Sequence, residues 1–300
     1  MTGLDVTLHG GVVSEERTNH RLMILGAGVM GVGIAALGLG SGLPVTLVDV
    51  DEARLEQARR RIRRELKLAR LMGALPDGAA PGELTTTTAA KDGAAATAVI
   101  EAVTELAEVK AAALAEVSAL VAPGTPVVSN TSSIPIDELA ASVARPQEFL
   151  GTHFMNPPYL IPTVEVIRGR RTGDPAEAAL VSLLTALGRT PLVVADSPGF
   201  VTSRVLHPMI NDAIRTVREG TAPAETVDAL FESGLGHRTG PLRTADLIGL
   251  DNLADSLRVL HERTGDPGCE PDQLLLDKVR AGHFGRKTGR GFYDYGGNPS

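Results

Sequence analysis

Arg21-Leu-Met-Ile-Leu25 is a short apolar run that stops at Gly26, the pattern of a strand buried on both faces. Val29 to Leu39 then reads as a helix rich in small residues, and Pro44-Val-Thr-Leu-Val-Asp49 as a second strand. Strand, helical crossover and strand make a βαβ unit, whose strands are expected to be parallel. Residues 51–72 form a strongly charged helical stretch, followed by a Gly/Pro-rich break from Pro76 to Pro81. Strand-like runs recur at Leu84–Thr88, Ala98–Val103, Pro126–Ser129, Phe149–Phe154, Thr163–Ile167 and Pro191–Val194, with helical stretches between several of them. That alternation predicts a doubly wound α/β sheet. The texture changes after Pro198-Gly199: residues 200–282 read as helices, with Gly220, Gly234, Gly240 and Gly265 near their ends. A domain boundary is therefore expected near residues 196–200. No internal repeat of fixed period is visible.

Composition narrows the chemistry. The chain has 300 residues, 43% hydrophobic and 22% charged, as a soluble globular protein does. A net charge of −7, 3% aromatics and no tryptophan argue against nucleic acid as a partner. No apolar run approaches the roughly 18 to 20 residues of a membrane span. The first nineteen residues mix Asp5, Glu15, Glu16 and Arg17 with glycines and lack the plan of a signal peptide; they read as a loose tail. The single cysteine, Cys269, rules out an intrachain disulfide and a Cys-rich zinc site; no metal is expected, and a cytoplasmic setting is.

Gly26-Ala-Gly28-Val29-Met30-Gly31 is G-x-G-x-x-G, placed after a strand and at the opening of a helix. Its glycines permit the tight turn, the approach of backbone to a pyrophosphate and close packing of helix on strand. Asp49 follows eighteen residues after Gly31, at the end of the second strand. A carboxylate there accepts from both ribose hydroxyls and repels a 2′-phosphate, so NAD rather than NADP is expected. The competing readings are a Gly-rich turn that binds nothing and an Asp49 that only caps a helix. His153 and Glu165 lie in two runs joined by the turn Asn156-Pro-Pro158. Such runs can set imidazole beside carboxylate, which fixes the tautomer and stabilises the imidazolium. A purely structural pair is the alternative. Ser132, just after the run Val127-Val-Ser129, faces the ligand crevice or caps a helix near Ile136, with Ser133 also available for capping.

Five motifs in order resemble the short-chain L-3-hydroxyacyl-CoA dehydrogenases, the family that includes 3-hydroxybutyryl-CoA dehydrogenase. They are Gly26 to Gly31, Ser129-Asn-Thr-Ser-Ser133, Gly151-Thr-His-Phe-Met-Asn-Pro157 with Val164-Glu-Val166, Pro198-Gly-Phe-Val201, and Phe284-Gly-Arg-Lys-Thr-Gly-Arg-Gly-Phe-Tyr293. The resemblance implies a Rossmann-like NAD-binding domain over 20–197 and an all-helical substrate and dimerisation domain over 198–300, with residues 1–19 outside both. It implies hydride exchange between NAD and a 3-hydroxyacyl thioester, with His153 as base, Glu165 its partner and Ser132 a donor to the substrate oxygen. It also places Glu105, Lys110, Asn156 and Lys287 near the cofactor; Glu105 and Lys110 as a solvated helix pair, and Lys287 in an exposed loop, are the alternatives.

The chain departs from that family at three places. Ser203 stands where an Asn is usual, and a hydroxyl offers shorter reach. The serine and lysine that contact the CoA nucleotide are replaced by Glu65 and Met72, on a helix that also carries Arg59, Arg60, Arg61, Arg63, Arg64, Lys67 and Arg70. That stripe is either a solvated face with pairs such as Glu56 with Arg60, or a landing surface for CoA phosphates or an acidic acyl carrier protein. Ile161-Pro162 replaces a Met-Lys pair, a substitution that resembles relatives acting on polar hydroxy acids or on carrier-bound hydroxyacyl groups, among them one that oxidises glyceryl-carrier protein for polyketide extender units. Two further readings compete. Decarboxylating β-hydroxyacid dehydrogenases share the Rossmann opening, but their Lys-x-x-x-Asn element is missing here. A non-catalytic NAD-binding structural or sensing protein is the other.

Overall fold

The computed structural model describes residues 20–76 and 80–296; the expected N-terminal tail and Asp77 to Ala79 of the Gly/Pro-rich break lie outside them. The chain divides at Asp196/Ser197 into two compact units.

The first unit is one eight-stranded sheet in the order β3-β2-β1-β4-β5-β6-β7-β8. Its elements are β1 (Leu22–Leu25), α1 (Val29–Gly40), β2 (Val45–Val48), α2 (Glu52–Leu71), β3 (Leu84–Thr87), β4 (Ala98–Glu101), α3 (Ala107–Leu120), β5 (Val127–Asn130), α4 (Ile136–Leu139), β6 (Phe149–Phe154), β7 (Thr163–Arg168), α5 (Asp174–Ala186) and β8 (Thr190–Ala195). All neighbours pair in parallel except β6 and β7, which are antiparallel. The order reverses beside β1, so the crevice at the C-terminal ends of β1 and β4 is where a dinucleotide is received.

Every residue of β1 is buried, as its unbroken apolar run predicts. Helix α1 carries four glycines and has weak intrinsic propensity; burial of everything from Gly31 to Gly40 holds it instead. Helix α2 is amphipathic, burying Leu55, Ala58, Ile62 and Ala69 at helical spacing. Its N-cap is Asp51, whose carboxylate accepts from the Ala53 and Arg54 amides.

The second unit is helical: α6 (Thr202–Arg218), α7 (Ala224–Ala229) running into a π turn, α8 (Pro241–Ile248), α9 (Leu250–Thr264) and α10 (Gln273–Arg280). Its core joins Ile210, Ile214, Leu242, Leu253, Leu257 and Leu275. Two buried aspartates tie down the C-terminal segment. Asp246 accepts from the Phe292 and Tyr293 amides at 2.9 and 3.0 Å, and Asp228 from the Tyr293 hydroxyl at 2.7 Å. Gly291 belongs to this anchor, since a Cβ there would sit 1.9 Å from Asp246 Oδ1.

Candidate active site

The cofactor end is built by the β1–α1 turn. Gly26 has φ +98°, and a Cβ on Gly31 would stand 1.8 Å from the Gly26 carbonyl oxygen. A Cβ on Gly28 would meet nothing within 4 Å. That open space lies at the start of α1, where no side chain caps the first amides and no acidic residue occupies the first turn. Free amides beside open space suit a diphosphate. Asp49 is not a helix cap. Its Oδ2 accepts from the Ala27 amide at 2.8 Å and its Oδ1 from the Asp51 amide at 3.0 Å, so it braces the glycine turn. Each carboxylate oxygen keeps a further acceptor site for a ribose hydroxyl. These residues fit a dinucleotide with an unmodified 2′-hydroxyl.

The antiparallel pairing of β6 and β7 puts His153 directly opposite Glu165. His153 Nδ1 lies 2.7 Å from Glu165 Oε2, and both residues are buried. A carboxylate on Nδ1 fixes the tautomer of an imidazole and favours its protonated form.

Ser132 lies beyond the end of β5, and its hydroxyl bonds to no other described residue. The capping alternative fails: α4 starts from Pro135, with no side chain capping it. The backbone around Ser132 is held by Glu105, whose Oε1 accepts from the Thr131 hydroxyl at 2.5 Å and the Ser132 amide at 2.8 Å. Burial by itself would raise the Glu105 carboxyl; the Lys110 ammonium, Thr131 and Ser132 outweigh it and hold it below the usual carboxylate range.

Lys110 is not the solvated residue of the alternative reading. It is wholly buried rather than solvated, and it is engaged by Glu101, Glu105 and the Asn130 carbonyl. Three acceptors use all three ammonium protons, so its influence on a ligand is indirect. Sequence reasoning missed Glu101, which reads only as the end of an apolar strand, and Asn130, whose Oδ1 accepts from the Phe154 amide at 3.2 Å beside His153.

Asn156 shares a pocket of about 180 Å³ with Val29, Gly33, Arg61, Glu65 and Tyr159. The Tyr159 hydroxyl donates to Glu65, so this carboxylate is committed inside the unit. Burial and the Glu65 carboxylate both push the Tyr159 phenol upward. Met72 is the exposed residue that closes α2. Of the basic stripe, Arg59 and Arg60 pair with Glu56, while Arg63, Arg64, Lys67 and Arg70 have no carboxylate within ion-pair distance among the described residues. In the second unit, Ser203 is buried in the first turn of α6. Lys287 Nζ pairs with Asp251 at 2.5 Å in that same unit. No cluster of metal-ligating side chains occurs among the described residues, and no helix there is long and apolar enough to cross a membrane.

A glycine cradle closed by Asp49, on a sheet of this order, defines an NAD-binding oxidoreductase of the Rossmann type, here with a helical second unit. The match to known proteins is more specific. Models for the NAD-binding domain and the C-terminal domain of 3-hydroxyacyl-CoA dehydrogenase match residues 21–197 and 199–295. The chain belongs to the 3-hydroxyacyl-CoA dehydrogenase family. It is 41% identical over 277 residues to a 3-hydroxybutyryl-CoA dehydrogenase of Bradyrhizobium diazoefficiens, covering 91% of this chain and 94% of that one. It is 40% identical over 274 residues to a probable 3-hydroxybutyryl-CoA dehydrogenase of Deinococcus radiodurans, covering 91% and 99%. The crystal structure of (S)-3-hydroxybutyryl-CoA dehydrogenase from Ralstonia eutropha superposes with a TM-score of 0.84 at 37% identity, covering 93% and 99%.

Proposed function

We propose that the protein interconverts a 3-hydroxyacyl thioester and its 3-oxoacyl form, with His153 as general base. The observation that carries this reading is the buried 2.7 Å contact between His153 Nδ1 and Glu165. With Nδ1 held, Nε2 takes the proton of the substrate hydroxyl, and the Glu165 carboxylate stabilises the imidazolium that forms. Gly26 to Gly31 and Asp49 would hold NAD, which would supply the hydride acceptor. In the opposite direction the imidazolium returns the proton to the ketone oxygen. Ser132 donates its unpartnered hydroxyl to the same oxygen. The 3-hydroxybutyryl-CoA dehydrogenases named above make a short acyl-CoA the first substrate to try.

NADH oxidation with acetoacetyl-CoA tests the reading. Turnover with NADH, and kcat/KM lower by about a hundredfold or more with NADPH, is expected, since a carboxylate at Asp49 and a 2′-phosphate repel at short range. Inactivity toward every 3-oxoacyl thioester would leave a non-catalytic NAD-binding protein. Equal kcat/KM with both cofactors would contradict the role given to Asp49.

A second reading concerns the acyl carrier. The unpaired Arg63, Arg64, Lys67 and Arg70 make an exposed basic face on a chain of net charge −7. Glu65, which replaces a CoA-contacting residue of the resembled family, is tied to Tyr159. Both favour an acidic carrier protein bearing the hydroxyacyl group. Replacing Arg64 and Lys67 with Gln is then expected to raise KM for a carrier-linked substrate about tenfold at low salt, and the gap should shrink as salt rises. An equal change with acetoacetyl-CoA rejects this reading. For the expected homodimer, the exposed Val201, Val205, Leu230 and Leu235 of the helical unit offer apolar surface.

A further inference from the structure

The sheet unit buries one charged pair completely. The side chains of Glu101 and Lys110 are both 0% exposed, 2.8 Å apart. Buried charges persist only where every lone pair and proton is engaged, and an apolar pair of similar volume often holds a fold as well. Here all three Lys110 ammonium protons are engaged, and both Glu101 oxygens accept hydrogen bonds. Glu101 ends β4; its Oε1 also accepts from the Val103 amide at 2.8 Å, and its Oε2 from the Ser129 hydroxyl at 2.6 Å. Lys110 spends its other two protons on the Asn130 carbonyl at 3.0 Å and on Glu105 Oε2 at 3.1 Å. The opposite oxygen of Glu105 gathers the Thr131 hydroxyl and the Ser132 and Ser133 amides.

These contacts form a single line from the core to the crevice: Glu101, Lys110, Glu105, then the backbone of Thr131 to Ser133. The line emerges at the C-terminal ends of β4 and β5, the ligand side of such a sheet. The Ser132 hydroxyl has no partner of its own among the described residues, so no other side chain holds it and its backbone sets where the Cβ that carries it stands.

We infer that Glu101 is a positioning residue: through Lys110 and Glu105 it fixes the backbone that carries Ser132, and so aims the Ser132 hydroxyl at the substrate oxygen. The inference rests on the reading of Ser132 as that donor. Two carboxylates share one ammonium, so Lys110 is pulled from both sides and Glu105 cannot drift without unsatisfying it. Loss of Glu101 leaves Lys110 paired with Glu105 alone and free to draw it inward, away from the Ser132 amide.

A double-mutant cycle in the full chain tests this, with thioester-dependent NADH oxidation as the readout. Glu101→Gln is expected to lower kcat about tenfold, with KM for NADH changed less than about twofold, because misplacing a reacting group by a fraction of an ångström costs that much. In a Ser132→Ala background the same change is expected to cost less than about twofold. An equal loss in both backgrounds overturns the inference and makes Glu101 merely structural. Full activity of Ser132→Ala by itself instead overturns the reading of Ser132, and the inference with it. If Glu101→Gln does not fold, Ser129→Ala takes its place, since it removes only the hydroxyl on Glu101 Oε2 and leaves the charges paired. It is expected to lower kcat about threefold when Ser132 is present and not otherwise; the same loss in both backgrounds overturns the inference.

Discussion

His153→Gln is expected to lower kcat for 3-oxoacyl thioester reduction by about 10²- to 10⁴-fold while NADH still binds. Glutamine is close to imidazole in size and can keep a hydrogen bond to Glu165. It cannot hold or release a proton near neutral pH, so the general acid and base is lost while the β6–β7 pairing survives. The pair sits on adjacent strands rather than on a loop, which argues that the substitution is read as chemistry and not as local unfolding. Stopped-flow turnover together with NADH fluorescence titration separates the two. Turnover within about tenfold of the parent would remove His153 from the mechanism.

Gly31→Ala is expected to abolish measurable NADH binding and to destabilise the fold by about 1–3 kcal/mol. The added methyl would stand 1.8 Å from the Gly26 carbonyl oxygen and 3.0 Å from its carbon, both backbone atoms. Neither can rotate aside, so α1 must lift from the turn after β1, and the amides at its start leave their places together. Gly28→Ala is the control: its methyl meets no protein atom within 4 Å. It is expected to leave the melting temperature unchanged and to weaken NADH binding, because it fills space left for the diphosphate. A Gly31→Ala protein that binds NADH as tightly as the parent would show that the turn has another purpose.

Much of the first unit could be read from period alone. The run Leu22 to Leu25, the glycine turn and the small-residue helix are local features, and each residue's neighbours there are close in the chain. The charged helix with buried Leu55, Ala58 and Ile62 was legible for the same reason. So was the neighbourhood of His153 and Glu165, since a short turn between two strand-like runs leaves few alternatives to pairing. The change of texture after Pro198 likewise marks the passage from mixed sheet to helices.

Contacts made across the sheet were not legible. Glu101 meets Ser129 across 28 residues, and Tyr159 meets Glu65 across 94, so both depend on strand order and register, which no local period encodes. The burial of Lys110 was not legible either, because a lysine in a helix beside a glutamate fits a solvated pair equally well until the sheet lies beneath it. By itself, then, the sequence determined the glycine turn from Gly26 to Gly31 and the two-part plan of the chain, because those rest on backbone sterics and short-range periodicity. Only the tertiary structure decided that Asp49 braces the turn rather than capping a helix, that Ser132 has an unengaged hydroxyl, and that a buried Glu101–Lys110 pair stands behind it. Those outcomes depend on which distant groups share one low-dielectric interior, and there every charge must find its partner.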